Sequence, residues 1–317
     1  MTKLEKSARA IVNKCLEIKR GESVLILMNE SFQDIAQLLF SECLTKSKNT
    51  CMLVLPDNFY KHGIHDSIAR FMQSMDVIVA LTNPSIASLE ARIKANQNGA
   101  RIASMPNITK SSFIRFENTD FKKISRLSKK LSDILSISNE VNITSANGTH
   151  LDIVIDNHQG YAETGLLNQP GTFSHLPAGM ACISPADGKI EGQLVVDSGM
   201  EFDRDDSEKL VVHIKDGRAA RITGGLSAKR LRQKLAHRGA LNRSVIEFGL
   251  GVNDAVRING NPAEDEKALG NIFISLGHNS IDEDNTDSET SLHGIVYKAT
   301  VEVKGKKIID RGRLLLD

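Results

Sequence analysis

Two histidines frame a run of acidic residues in the segment GHNSIDEDNTDSETSLHG (277–294). Imidazole and carboxylate groups are the side chains that bind zinc or iron and that move protons near neutral pH. The acids between His278 and His293 lack the D-x-D/N-x-D/N-G spacing of a calcium loop. We therefore predict that these acids form an exposed loop and that His278 lies at a strand end, whereas the spacing leaves open whether His293 holds a metal, moves a proton or does neither.

A second candidate, Glu247, lies between apolar residues in VIEFGLG (245–251). A carboxylate in such a run is expected to be partly buried, and a buried charge needs a cation, a protonated histidine or a metal ion as its partner. Pairing with His293 meets this need. The two residues are therefore predicted either to act as an acid–base pair with no metal or to ligate one metal ion.

The apolar pattern predicts that two domains position these residues. In residues 1–136, the apolar runs SVLILM (23–28), MLVLP (52–56) and VIVAL (77–81), with the weaker RIASMP (101–106), alternate with amphipathic helices. Strands that are apolar throughout are typical of a parallel sheet covered on both faces, so an α/β domain is expected. No G-x-G-x-x-G follows any of these strands, which argues against a dinucleotide site.

Residues 137–317 change to alternating apolar and polar positions. Hairpins are predicted in LVVHIKDGRAARI (210–222), around Asp216-Gly217, and in TVEVKGKKII (300–309), around Lys304-Gly305. The pattern indicates a mainly antiparallel, β-rich (α+β) C-terminal domain. We expect this domain to carry the active-site cleft, since clefts beside domain boundaries are common binding sites.

Composition limits the function classes. The chain has 40 Lys and Arg against 39 Asp and Glu, so its net charge is +1. This balance argues against nucleic-acid binding, and no run reaches the roughly 20 apolar residues of a membrane span. The four cysteines form no C-x-x-C pair, and the N-terminus lacks an apolar secretion signal. We predict a cytoplasmic protein with a small-molecule or peptide substrate.

Several strings together resemble the aminopeptidase T family of metallopeptidases, in particular its shorter leucyl-aminopeptidase-like branch, which is structurally related to the iron-dependent 2,5-dihydroxypyridine dioxygenase. The strings run in order along nearly the whole chain: GARIASMPNIT (99–109), TSANGT (144–149), ETGLLNQPGTFSHLPAG (163–179), IEFGLGVNDAVRINGNPAEDEKALG (246–270) and ATVEVKG (299–305). The resemblance implies an α/β and a β-rich domain, one or two zinc or iron ions, and a homodimer.

The resemblance also implies four groups of metal ligands, and this sequence departs from most of them. Met180 stands where a Glu follows the PAG string, and Phe273 stands where a His opens a strand. The closing H-x-D becomes Ser291-Leu292-His293, and Glu247 alone is unchanged. A divalent zinc or iron ion needs several N or O donors at about 2.0–2.2 Å, so Met180, Phe273 and Ser291 argue against a bound metal.

Three further positions on the family strings are also altered, with Glu163, His175 and His150 standing where the family has Asp, Asn and Asp. We predict catalytic roles for Glu247, His293, Glu163 and His175, and place Met180, Phe273 and Ser291 in the substrate pocket. The retained segment EDEK (264–267) is predicted to be either an ion-pair turn that supports the cleft or a part of the site itself.

Three hypotheses follow for the function. The first is a divergent enzyme that acts on an amino-acid- or peptide-derived small molecule, in biosynthesis, through acid–base chemistry of Glu247 and His293. The second is a metal-dependent aminopeptidase with an unusual ligand shell. The third is a non-catalytic binding or partner subunit, which Met180 and Phe273 would allow.

Overall fold

The computed structural model describes residues 1–156, 158–237, 240–277 and 291–316. The chain folds into two compact units. The first comprises residues 1–125 and 164–178, and the second comprises the described parts of 126–163, 179–282 and 289–317. This division differs from the predicted single boundary at residue 136, because the strand in 164–178 pairs in parallel with the strand Arg101–Ser104 of the first unit.

The α-helices are α1 (Lys3–Ala10), α2 (Gln33–Lys46), α3 (Phe59–His62), α4 (Asp66–Gln73), α5 (Glu90–Gln97), α6 (Lys110–Phe113), α7 (Phe121–Ser136), α8 (Leu226–His237) and α9 (Pro262–Asp265). The strands are β1 (Val24–Met28), β2 (Thr50–Val54), β3 (Val77–Leu81), β4 (Arg101–Ser104), β5 (Glu140–Thr144), β6 (His150–Val154), β7 (Tyr161–Glu163), β8 (Phe173–His175), β9 (Met180–Ile183), β10 (Ile190–Val195), β11 (Ser198–Gly199), β12 (Val211–Lys215), β13 (Arg218–Thr223), β14 (Ser244–Gly251), β15 (Ile272–Gly277), β16 (Ser291–Val296), β17 (Thr300–Val303), β18 (Lys306–Asp310) and β19 (Arg313–Leu314).

The first unit is built on a parallel sheet with the strand order β2-β1-β3-β4-β8. Successive side chains of a strand point to opposite faces, so each face of this sheet builds its own apolar core. Ile26 and Val79 belong to one core, which helices α1 and α2 complete, whereas Leu27 and Ile78 belong to the other. Burial on both faces explains why β1 and β3 are apolar throughout, and it confirms the predicted parallel α/β architecture.

The second unit contains an antiparallel sheet with the order β11-β16-β15-β14-β13-β12-β10-β6-β5-β17-β18-β19, and β9 and β7 extend it from β14. Both predicted hairpins are present. The φ angles are positive at both turns: 50° for Asp216 and 71° for Gly217 in the first, and 50° for Lys304 and 70° for Gly305 in the second. Two such residues in succession form the turn that matches the twist of paired strands, so the prediction of a β-rich second half is confirmed. Among the described residues, no helix has the length and apolar character needed to cross a membrane.

Candidate functional site

Five neighbouring strands of the second unit bring six of the seven predicted residues to one face of the sheet. The strands pair in the order β7-β9-β14-β15-β16. Glu163 lies opposite Met180, and Glu247 lies opposite Ser275, which in turn lies opposite His293. Residues that face each other across antiparallel strands project to the same side. We call this side the site face: it carries Tyr161, Glu163, Met180, Cys182, Glu247, Phe273, Ser275, Ser291 and His293.

A buried lysine joins two carboxylates beside this face. The Nζ atom of Lys267 lies 2.6 Å from Oε2 of Glu163 and 3.0 Å from Oε1 of Glu266, and it donates to Sδ of Met180 at 2.9 Å. Only 3% of Lys267 is exposed. Burial by itself would lower the pKa of this ammonium group, but the charges of Glu163 and Glu266 outweigh it and raise the pKa. Lys267 therefore provides a positive charge between the two carboxylates.

Glu266 uses its other oxygen to hold His293. Its Oε2 lies 2.5 Å from Nδ1 of His293, whose Nε2 lies 3.1 Å from Oγ of Ser291. Burial opposes ionisation of Glu266, but Lys267 and His293 outweigh it and lower its pKa to about 2. We assign the Nδ1 proton to the bond with this carboxylate, which leaves Nε2 of the neutral imidazole to accept the Ser291 hydroxyl. We call Ser291, His293 and Glu266 the relay.

The pKa of His293 reflects the same partners. Burial would lower it, but the charge and hydrogen bond of Glu266, and then the charge of Glu247, raise it. The side chain remains 24% exposed, so solvent reaches part of it. The ring of Phe273 stacks on the imidazole with centroids 4.9 Å apart and planes 7° apart. Phe273 therefore fixes the imidazole plane but contributes no ligand atom.

Glu247 has a partner that the sequence did not indicate. The hydroxyl of Tyr161 donates a hydrogen bond to Oε1 of Glu247. Burial raises the pKa of Glu247, although the Tyr161 bond and the charges of His293 and Lys267 counteract it. The predicted direct pair of Glu247 and His293 is not formed, because Glu266 takes the hydrogen-bonding place beside the imidazole. The two groups interact only through their charges.

The other predicted residues have different surroundings. His175 lies on β8 in the first unit, where its Nε2 is 3.2 Å from Oγ of Ser85 and its ring meets Phe173 edge-on. His278 and the acids 282–289 lie outside the described residues. Cys182 is fully buried, and burial raises the pKa of its thiol well above the usual value, as expected for a cysteine that is not a nucleophile. Tyr161 was missed, although its position two residues before Glu163 places both side chains on one face.

A glycine makes room for the aromatic ring of the site. Gly249 lies opposite Phe273, and a Cβ at this position would collide with the Phe273 ring. We expect Gly249→Ala to destabilise the protein by about 1–3 kcal/mol, because a close-packed core must shift to accept an added methyl group. Urea unfolding measures this change. The double variant Gly249→Ala/Phe273→Leu should recover part of the lost stability. If it is as unstable as Gly249→Ala alone, the added methyl group does not collide with the Phe273 ring.

The donor set does not fit the zinc or iron ion that the sequence resemblance implies. Within the described ranges, no group of three or more His, Cys, Asp and Glu side chains is placed to hold a metal ion. The Lys267 ammonium lies between the two buried carboxylates Glu163 and Glu266, and Phe273 covers one face of the His293 ring. The carboxylates already have a cation, so we derive no chemical step through a metal.

A comparison with models of protein families shows the family to which the chain belongs. The model described as 2,5-dihydroxypyridine 5,6-dioxygenase (NicX) matches residues 4–316. The chain belongs to the NicX family. Among solved structures, it is similar to the 2,5-dihydroxypyridine dioxygenase of Pseudomonas putida KT2440, with a TM-score of 0.83, 15% identity, and coverage of 100% of this chain and 99% of that chain.

Wild-type AmpT from Thermus thermophilus is also similar, with a TM-score of 0.72, 13% identity, and coverage of 99% of each chain. At such low identities, both likenesses show the fold alone. They place the NicX-family chain in the fold shared with AmpT, as the resemblance to aminopeptidase T predicted, whereas membership of the metallopeptidase family stays a prediction. A comparison with curated protein sequences finds no significant match.

Proposed function

We propose that this NicX-family chain is an enzyme that acts on an amino-acid- or peptide-derived small molecule, in biosynthesis, by acid–base chemistry without a bound metal. The observation that supports this proposal is the position of His293, whose ring is held between the Glu266 carboxylate and the Ser291 hydroxyl while 24% of the side chain remains exposed. An imidazole oriented by a carboxylate is an effective general base because its free nitrogen is fixed towards the reacting group.

The two sides of the site face have different roles in this proposal. His293 accepts a proton at Nε2 from the attacking group, and Glu247, held by the Tyr161 hydroxyl, donates a proton to the leaving group. Lys267 contacts neither His293 nor Glu247 through a hydrogen bond, but it fixes Glu266 and Glu163. It is therefore a positioning residue for the base.

A second candidate is the dioxygenase activity named in the family description, which the match over residues 4–316 favours. Ring cleavage by a NicX-type dioxygenase uses iron, as the sequence resemblance implies, and the site face lacks a fitting donor set. We therefore place this activity second and include it in the test. The homodimer stays a prediction because the structure is that of a single chain. The cytoplasmic location also stays a prediction.

The test uses purified full-length protein and a panel of amino-acid esters, amino-acid amides and dipeptides, with products identified by mass spectrometry. We expect turnover of at least one compound, and a rate lower by about 100-fold or more in His293→Ala and in Glu247→Gln, as is usual when a general acid or base is removed. The Lys94→Ala variant, altered in an exposed ion pair with Glu90, is the control and should keep the rate.

Two results would contradict the proposal. The first is the absence of turnover for every compound in the panel. The second is turnover that persists unchanged in both His293→Ala and Glu247→Gln. Oxygen uptake with 2,5-dihydroxypyridine, measured with an oxygen electrode after iron loading, would instead support the dioxygenase candidate.

A further inference from the structure

The relay has the order of groups that nucleophilic catalysis requires. Oγ of Ser291 lies 3.1 Å from Nε2 of His293, and Nδ1 of the same ring lies 2.5 Å from Oε2 of Glu266. A hydroxyl, a base and an acidic group that orients the base form the general arrangement of an activated serine, whatever the fold that carries it. We propose that Ser291 is the nucleophile of an acyl-transfer reaction on a small ester or amide, an inference that rests on the proposed function.

The local structure explains how two residues of one strand can meet in this way. Ser291 and His293 are two apart on β16, so their side chains project to the same side of the sheet. Glu266 reaches the imidazole from the segment that follows α9, and Lys267 holds its second oxygen. The hydroxyl, the imidazole and the carboxylate are therefore fixed by three different backbone positions.

A close backbone approach fixes the strand that carries the relay. Gly199 on β11 pairs with Gly294, the residue after His293. Its φ angle is +80°, and a Cβ at Gly199 would collide with the carbonyl oxygen of His293. Only glycine meets both conditions without strain, so Gly199 is a positioning residue for His293.

The proposed reaction is balanced with water as the only co-reactant. The Ser291 oxygen attacks the substrate carbonyl carbon while its proton moves to Nε2 of His293. Glu247 donates a proton to the leaving oxygen or nitrogen as its bond to the carbonyl carbon breaks, which leaves an acyl ester on Ser291. Water attacks this ester and gives a proton to the Glu247 carboxylate, and the proton on Nε2 of His293 returns to the Ser291 oxygen as the acid is released.

Two other side chains of the site face, Cys182 and Ser275, do not offer this chemistry. The Cys182 thiol is fully buried and held in its protonated form. Ser275 is also fully buried, and its hydroxyl has no hydrogen-bond partner among the described residues, so no base activates it. Ser275 thus provides a matched control, since it lies opposite His293 on the neighbouring strand β15.

The test is covalent labelling with a fluorophosphonate, which needs no knowledge of the natural substrate. The serine oxygen attacks phosphorus, the P–F bond breaks, and fluoride leaves while the proton passes to the base. We expect intact-mass spectrometry of the full-length protein to show one adduct, and peptide mapping to place it on Ser291. Ser291→Ala should abolish this adduct, Ser275→Ala should leave it unchanged, and His293→Ala should slow labelling by about 100-fold or more.

The His293→Gln variant provides a second test if His293→Ala fails to fold, as judged by circular dichroism. The absence of an adduct on Ser291 in the wild-type protein, or equal labelling rates in the wild type and the folded His293 variant, overturns the nucleophile proposal. If turnover is lost in His293→Ala but kept in Ser291→Ala, the proposal that Ser291 is the nucleophile is wrong, while the proposed acid–base function is retained. Turnover kept in both variants overturns both.

Discussion

Replacement of Lys267 by methionine should destabilise the protein by about 3–5 kcal/mol, the usual cost of removing one partner from a buried ion pair. Lys267 is 3% exposed, and its Nζ lies within 3.0 Å of carboxylate oxygens of Glu163 and Glu266. Methionine preserves much of the side-chain volume but leaves two buried negative charges without their cation. Urea unfolding followed by circular dichroism measures the difference in the free energy of unfolding.

Two variants serve as controls for this prediction. Lys94→Met removes the cation of the exposed Glu90 pair, whose atoms also lie 2.6 Å apart, and should cause no measurable change because water screens these charges. The triple variant Lys267→Met/Glu163→Gln/Glu266→Gln should be more stable than Lys267→Met alone, since no unpaired charge remains. A Lys267→Met protein as stable as the wild type would contradict the ion-pair account.

Acid should remove about 3 kcal/mol of stability through Glu266 alone, because its pKa falls from an ordinary 4.5 to about 2 in the folded protein. A carboxyl group whose folded pKa is depressed stabilises the protein at pH values above its unfolded pKa. This contribution is lost as the pH falls from about 4.5 through about 2. The free energy of unfolding, measured at a series of pH values in this range, should therefore decline steeply.

Glu266→Gln tests the assignment of this acid-sensitive window. The variant should be less stable than the wild type at pH 6, and its stability should vary less between pH 4.5 and pH 2. An unchanged slope in the variant would show that another carboxyl group is responsible. His293 has the opposite sign: because its folded pKa is raised above 6.5, its contribution is complete below that value and is lost as the pH rises through the folded pKa.

Much of the fold could be predicted because its elements are specified by short stretches of sequence. The runs SVLILM and VIVAL lie in buried parallel strands, since apolar side chains on both faces of a strand need cover on both sides. The hairpin at Asp216-Gly217 follows from a residue pair that readily adopts positive φ. The return of residues 164–178 to the first unit was not predicted, because β8 is only three residues long and pairs with a strand far away in sequence.

The site was only partly predictable from the sequence. The residue types and their setting indicated Glu247 and His293, and the family resemblance added Glu163, but neither could show which carboxylate would meet the imidazole. The partner of the imidazole depends on the segment after α9, which brings Glu266 to His293. It also depends on Tyr161, whose hydroxyl donates a hydrogen bond to Glu247. A shift of register in β14 between Val245 and Glu247 also changes which residues face each other. Such long-range contacts have no local signature in the sequence.

The most direct measurement is a high-resolution crystal structure with anomalous diffraction data collected at the zinc and iron edges, after soaking in either ion. The metal-independent account predicts no anomalous peak between Glu247 and His293. It also predicts Lys267 Nζ between Glu163 and Glu266, and His293 bonded through Nδ1 to Glu266 and through Nε2 to Ser291. A metal ion bonded to His293 and Glu247, with the imidazole turned away from Glu266, would contradict it.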